Sequence, residues 1–289
     1  MGNMDKIVLS NQYQIPQIVM GTSVDDRVGN RKKLIKNMCS IVEFAVCNGI
    51  VAFDTSRDYQ NEHILGEVFQ NLINGGSISR EDLFITTKVG NSQQRKKNMR
   101  EQIESSLRSL KLDYLDLWLL HWPMPDFYVD NWKQVCEIYR EGKVKAIGIA
   151  NCRERHIEAI KASGAEVIPQ VVQIEYHPFR TIDNMRRYCL ENHIQIEAYS
   201  ANCVMLPFVR ENVVLNKLAQ KYSKSITQIM MRWHIQQGTI PIFSSMNKDH
   251  ILNNIDIFDF SLEEDEMNDI FSLNCDYKFH PESINCPGY

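Results

Sequence analysis

Three consecutive apolar runs of this 289-residue chain end in side chains whose chemistry fits together. Asp54 ends the second run, with Tyr59 five residues on. Lys88 ends the third. His121, just before Trp122 and Pro123, ends the fourth. A tyrosine has a pKa of about 10, too high for easy proton donation at neutral pH. An ammonium close to its oxygen favours the phenolate and lowers that pKa. An aspartate paired with the lysine keeps the ammonium charged and in place. A histidine beside the same oxygen can hold a substrate carbonyl by a hydrogen bond. Such a set is a tuned general acid for an oxygen that gains negative charge. Carbonyl reduction by hydride transfer needs such an acid and no metal. Taken singly, a terminal lysine often only snorkels, and a histidine beside tryptophan is often a satisfied core residue. Four such residues at the same end of consecutive runs favour a site.

The elements that must carry them are legible as period and composition. Strand-like runs rich in Val, Ile, Phe and Tyr cover Ile15–Met20, Ile50–Thr55, Leu83–Val89, Tyr114–His121, Val144–Ala150, Val167–Glu175, Ile194–Ser200 and Ile240–Ser244. Ile7–Leu9 with the start of the first run suggests a short hairpin. Between the runs lie helical patterns near 31–48, 61–73, 97–110, 130–141, 153–163, 182–192, 211–222, 225–237 and 262–273. In 130–141 the apolar stripe is Trp132, Val135, Cys136 and Tyr139, closed by Gly142 at a C′ position. Strand–helix alternation implies parallel strands, and runs apolar on both faces imply burial on both. Eight such units predict an α/β fold, a single (β/α)8 TIM barrel spanning 1–289 with a short N-terminal β-hairpin and extra helices. An open doubly wound sheet competes on pattern alone, but the G-x-G-x-x-G turn and the P-loop are both missing. In a barrel, functional residues sit at the C-terminal strand ends. That rim also holds Asn151 after the fifth run, Gln173 and Glu175 in the sixth, and Tyr199-Ser200 at the end of the seventh.

Composition excludes other classes. Lys plus Arg is 32 and Asp plus Glu 36, a net charge of −4, which argues against a nucleic-acid partner. A short basic run, Arg95-Lys96-Lys97, is expected to open a helix as a solvated end. No apolar run approaches the roughly 18 residues of a membrane span. Met1 to Ser10 lacks a charged region followed by a long apolar stretch, so a cytoplasmic protein is expected. Eight cysteines (39, 47, 136, 152, 189, 203, 275 and 286) form no C-x-x-C pair and stand at no zinc spacing. They read as free thiols packed as small hydrophobes, and no metal site is expected.

Motif by motif, the chain resembles the aldo-keto reductases over essentially its whole length. The carrying segments are Phe53-Asp54-Thr55-Ser56-Arg57-Asp58-Tyr59-Gln60-Asn61-Glu62, Thr86-Thr87-Lys88, Asp113 to Pro123, Glu141 to Gly148, Gln173-Ile174-Glu175-Tyr176-His177-Pro178 and Ala198-Tyr199-Ser200. The resemblance implies a barrel that binds a nicotinamide cofactor without a Rossmann fold, NADP(H) being the family default. It implies Tyr59 as general acid, Lys88 and Asp54 as its tuning pair, and His121 as the group that orients the carbonyl. It also implies Asn151 and Gln173 on the nicotinamide carboxamide, Tyr199 stacked on the ring, Ser200 opening the pyrophosphate loop and Thr22 lining the cofactor site. Trp122 and Ser23 would border the substrate. The small-molecule substrate would be an aldehyde or ketone, and a monomer is the expected state.

Departures from that pattern carry their own expectations. Strand five reads Gly148-Ile149-Ala150-Asn151-Cys152 where the family usually has Gly-Val-Ser-Asn-Phe, so a hydroxyl to the carboxamide is lost. After Ser200 the usual Pro-Leu-Gly is Ala201-Asn202-Cys203. At strand eight, many members have Ile-Pro-Lys-Ser and an arginine five residues on. Here Ser244 stands for the lysine and His250 for the arginine, while Ser245 and Asn254 keep their places. A charge-assisted phosphate contact contributes roughly 1.5–3 kcal/mol. Losing two predicts dual use of NAD(H) and NADP(H), or a lean toward NADH, unless Lys248 compensates. Asn274 to Tyr289, with Tyr277, Phe279 and His280, is either a substrate-facing loop or a loose tail. A rival from another class is a nicotinamide-binding barrel that senses redox state through Cys152 and Cys203.

Overall fold

The computed structural model describes residues 6–23, 31–282 and 286, with backbone alone at 31, 32 and 34–36. Two short strands, β1 (Lys6–Val8) and β2 (Gln14–Pro16), pair antiparallel as a hairpin. Eight more follow in chain order: β3 (Val19–Gly21), β4 (Ala52–Asp54), β5 (Phe84–Val89), β6 (Leu115–Leu120), β7 (Val144–Ala150), β8 (Val171–Glu175), β9 (Gln195–Tyr199) and β10 (Ile240–Phe243). All eight run parallel and close into a barrel, β10 pairing with both β9 and β3. This is the (β/α)8 barrel with an N-terminal hairpin that the alternation predicts.

Side chains alternate across each strand, so every strand serves two layers. Met20, Phe53, Ile85, Trp118, Ile147 and Val172 point outward and pack beneath the helices. Val19, Ala52, Phe84, Leu117, Ala146, Val171 and Ile240 fill the inside, together with Leu9 and Ile15 of the hairpin. Further along the same inward rows the residues turn polar: Asp54, Thr86, Lys88, Gln173, Glu175 and Glu197, all buried. The barrel interior is therefore apolar toward the strand N-termini and polar toward the C-terminal mouth.

The hairpin stoppers the apolar end. Asp116, at 1% exposure, accepts from the Tyr13 hydroxyl (2.6 Å), Arg80 Nη2 (2.8 Å) and the Ile85 N–H (2.8 Å). Asn11 donates to the Lys145 carbonyl at 2.8 Å. The run Ile15–Met20, read as one strand, is two. Pro16 ends β2 because it has no N–H to carry a ladder onward, and Val19 begins the barrel.

Most helices fall where the periodicity puts them, among them Glu62–Asn74, Met99–Leu110, Tyr128–Arg140 and Ile226–Gln236. Gly142 takes a φ of 79°, as its C′ position requires. The basic run Arg95-Lys96-Lys97 does not open a helix. It is the turn between Asn91–Gln94 and Met99–Leu110, and Asn98 caps the second by accepting from the Glu101 N–H. The helix Lys248–Ile255 was not expected from sequence. Only Ile251 and Asn254 in it are buried, too few for a readable stripe, and Asn247 starts it by accepting from the Asp249 and His250 N–H groups.

Gly148 shows how tightly the wall is built. A Cβ there would lie 2.2 Å from the Val171 carbonyl oxygen and 2.6 Å from a Leu119 methyl. The nearer atom is main chain and cannot step aside. Gly148→Ala should lower the unfolding free energy by about 1–3 kcal/mol in a urea titration. An unchanged midpoint would show that β7 and β8 can separate freely.

Candidate active site

The barrel's ladder continues one residue past several strands and fixes the rim. The Thr22 N–H donates to the Asp54 carbonyl, Thr55 to Thr86, His121 to Val89 and Asn151 to Gln173, at 2.8–3.1 Å. Asn151 and Ser200 turn the chain off β7 and β9 with φ of 57° and 51°. The signature residues after β4 are also structural. Asn61 donates to the Thr22 carbonyl (2.9 Å) and accepts from the Thr55 hydroxyl (2.7 Å). Glu62 accepts from Thr87 at 2.8 Å. Together they pin the turn that carries Tyr59 against β3, β4 and β5.

Inside this frame Lys88 is 1% exposed. Its Nζ donates to Asp54 Oδ1 (2.6 Å), the Thr55 carbonyl (3.1 Å) and the Tyr59 hydroxyl (3.4 Å). An ammonium has three N–H groups, and all three are used. Because the phenol oxygen accepts from lysine, its own proton is directed away from Lys88. Burial alone would push the ammonium down; Asp54 and Tyr59 outweigh it, so the pKa lies above its ordinary value. Burial pushes the Tyr59 phenol up and Lys88 pulls it back, with a net rise. The lysine thus moderates the effect of burial rather than lowering the phenol below its ordinary range, as the sequence suggested it would. The resting form is the neutral phenol, a proton donor.

Asp54 Oδ2 accepts from Gln173 Nε2, whose other N–H goes to Glu197 Oε2, both at 2.9 Å. Glu197 is fully buried, and its Oε1 has no hydrogen-bond partner among the described residues. Burial, with Asp54 opposite, holds its pKa up at about 7. Sequence reading passed over Glu197, although its place two residues before Tyr199 puts it on the same inward row.

His121 meets the Tyr59 ring edge-on at 6.0 Å. Its Nδ1 lies 3.0 Å from Asp58 Oδ2 and 3.2 Å from Ser56 Oγ. Burial, and then Lys88, push the imidazole pKa down and Asp58 pulls it up; the net shift is downward. Trp122 follows at 7% exposure and packs with Met124 and Cys286 in a small cluster of its own.

The residues expected to hold a nicotinamide fit a carboxamide by donor count. Gln173 has spent both N–H groups, so its Oε1 is what it offers. Asn151 gives one N–H to the His121 carbonyl (3.0 Å) and accepts from the Tyr199 hydroxyl (2.6 Å), which leaves its second N–H. One acceptor and one donor complement an amide group, and the Tyr199 ring stands beside them. Around β3 and β10 the arrangement is different. Thr22 donates its hydroxyl to the Asp54 carbonyl. Ser244 donates to the Gly21 carbonyl (3.1 Å), while Ser23 is exposed. Ser245 donates to the Asn247 carbonyl, His250 is exposed and Asn254 is buried. The Lys248 ammonium lies 4.9 Å over the Phe44 ring.

The C-terminal segment is docked through residue 282. Glu175 accepts from the Phe279 and His280 N–H groups (2.5 and 2.8 Å), and the His280 ring meets Tyr199 at 5.7 Å. Residues 283–285 and 287–289 lie outside the described residues. After Ser200, Cys203, Val204 and Met205 all take φ near 50°. That is a left-handed turn which no non-glycine sequence signal announces. Cys152 and Cys203 are buried free thiols. Burial raises the first well above its ordinary value and the second to about 12, which suits packed thiols rather than reactive thiolates. Among the described residues no helix is long and apolar enough to cross a membrane, and no group of three His, Cys, Asp or Glu could hold a metal.

The chain is similar to known proteins over most of its length. Residues 18–202 and 207–274 match the model of the Aldo/keto reductase family. The chain is 36% identical over 277 residues to the glyoxal reductase of Bacillus subtilis, covering 96% of this chain and 95% of that one. It is 33% identical over 284 residues to a methylglyoxal reductase of Escherichia coli, covering 98% of each. Among solved structures, a Bombyx mori aldo-keto reductase in complex with NADP superposes with a TM-score of 0.88 at 28% identity, covering the whole of both chains.

The Glu197 carboxyl carries a pH signature. Its unfolded pKa is about 4.3. A carboxyl raised in the folded state contributes stability fully below the unfolded pKa and loses it as pH rises through about 7. Glu197→Gln cannot ionise, so between about pH 4 and pH 8 it should gain on the order of 3 kcal/mol relative to the parent. Urea titrations at both ends of that range read the difference. Parallel pH profiles would mean that Glu197 does not titrate there.

Proposed function

The chain belongs to the aldo/keto reductase family, and from that premise we propose that it reduces a small aldehyde or ketone to the alcohol with Tyr59 as general acid. The supporting observation is the buried Lys88 ammonium, donating at once to Asp54 and to the Tyr59 hydroxyl at the polar mouth of the barrel. When bound, NAD(P)H supplies hydride to the carbonyl carbon. The carbonyl oxygen then gains negative charge, and the neutral Tyr59 phenol gives it a proton. Lys88 stabilises the phenolate that remains, and Asp54 keeps the lysine charged. Asn151, Gln173 and Tyr199 would hold the nicotinamide. The reductases of glyoxal and methylglyoxal among the relatives make short α-dicarbonyls the first substrates to try.

Tyr59→Phe keeps the ring and removes the proton. It should abolish carbonyl reduction, a loss of at least about 100-fold in kcat, while nicotinamide binding followed by fluorescence stays within a few fold. Retained turnover with lost binding would refute the role assigned to Tyr59.

For the cofactor, we propose use of both NADPH and NADH. Ser244 and His250 supply no fixed charge for a 2′-phosphate, the Ser244 hydroxyl is committed to Gly21, and Lys248 rests on Phe44. Asp249 adds a carboxylate to the first turn of the adjacent helix. Steady-state kinetics should give kcat/KM values for the two cofactors within about 100-fold, or ~2.8 kcal/mol at 1.4 kcal/mol per factor of ten. A wider preference for NADPH would overturn this part of the reading.

A further inference from the structure

Asp58 is an exposed residue that holds its carboxylate on a half-buried histidine. Its Oδ2 lies 3.0 Å from His121 Nδ1. An ionised carboxylate only accepts, so Nδ1 must carry a hydrogen. Ser56 Oγ, at 3.2 Å from the same nitrogen, also accepts from the Asp58 main-chain N–H at 3.2 Å and holds the turn in register. The carboxylate is seated on Gly90. A Cβ there would fall 2.1 Å from Asp58 Oδ1 and 2.4 Å from Oδ2. Gly90 has φ −73° and ψ 172°, a conformation any residue can adopt, so its lack of a side chain here serves the space and not the backbone.

We propose that Asp58 is a positioning residue that locks His121 in the Nδ1–H form, so that Nε2 donates a hydrogen bond to a substrate carbonyl only when the ring is protonated. With one hydrogen on Nδ1, a neutral ring presents a bare Nε2. That edge accepts from an alcohol O–H and repels a carbonyl oxygen. A second proton makes it a charged donor to the carbonyl. The groups that face the ring are Lys88 from β5, Asp54 from β4, and Tyr59 and Asp58 from the turn after β4. Burial and Lys88 oppose the second proton, and the two carboxylates favour it. Asp58 therefore places the pH window in which the site favours reduction, and its charge also helps to raise the neighbouring Tyr59 phenol. The carbonyl half of this proposal rests on the reductase reading above; the state of the ring does not.

Two measurements test it. Nitrogen-15 NMR of the histidine rings at about pH 8 reads the tautomer without any turnover. In the parent, His121 should show a pyrrole-type Nδ1 and a pyridine-type Nε2. In Asp58→Ala, Ser56 is free to donate to Nδ1 and the two should exchange. The kcat/KM for carbonyl reduction should climb about tenfold per pH unit as pH falls toward the ring's pKa and level off below it. This limb lies below that of Tyr59, whose phenol burial raises. Asp58→Ala should flatten the limb, because a neutral Nε2–H donates at every pH. Asp58→Asn, which keeps an acceptor and loses the charge, should move it to lower pH. Gly90→Ala displaces the carboxylate without removing it and should copy Asp58→Ala, which separates position from charge even if one variant folds poorly. A parent ring with hydrogen on Nε2, or the same limb in all variants, overturns the proposal. Absence of turnover on every carbonyl would instead count against the reductase reading, with the NMR result still standing for the ring.

Discussion

A lysine ammonium buried inside a barrel is the constraint around which the rest is arranged. Desolvating such an ion costs several kcal/mol even after relaxation, and one carboxylate offsets this only with good geometry and satisfied hydrogens. Here all three N–H groups of Lys88 are spoken for, by Asp54, the Thr55 carbonyl and Tyr59. The requirement reaches outward. Asp54 needs a partner for its second oxygen, and Gln173 supplies it from the far side of the barrel. Gln173 in turn spends its other N–H on Glu197. A single buried charge thus sets the identity of inward residues on four strands, β4, β5, β8 and β9.

Much of this was visible in the sequence because strands have a period of two. Apolar residues at the starts of the runs and polar ones at their ends, on the same inward rows, describe a barrel filled at one end and polar at the other. The type and end position of Asp54, Lys88, His121 and Gln173 were enough to bring them together. The connections between elements were less legible, for local reasons. The continuous run Ile15–Met20 hides a break at Pro16, because both halves are buried, one in the hairpin and one in the wall. The helix Lys248–Ile255 buries too little to leave a stripe. The turn at Cys203–Met205 is left-handed without glycine, against the local preference of every residue in it.

Asp58 escaped for another reason. Beside a motif tyrosine in a surface turn, a carboxylate looks like solvation, and nothing in its spacing links it to His121 sixty-three residues away. The link is made by Gly90, whose missing side chain leaves the space. Contacts made by an absence are the hardest to read from composition, because the glycine and the group it admits lie on different elements.

The hairpin at the other end has a bearing on traffic. Leu9 and Ile15 close the barrel floor, and Asp116 ties Tyr13 down onto it. A vessel with a floor has one doorway. If, as proposed, a nicotinamide sits against Asn151 and Gln173 with the carbonyl compound above it, the two would queue by depth, the lower entering first and leaving last. The order of arrival and departure would then rest on two three-residue strands and the five-residue loop between them, on the opposite side of the protein from the proposed chemistry.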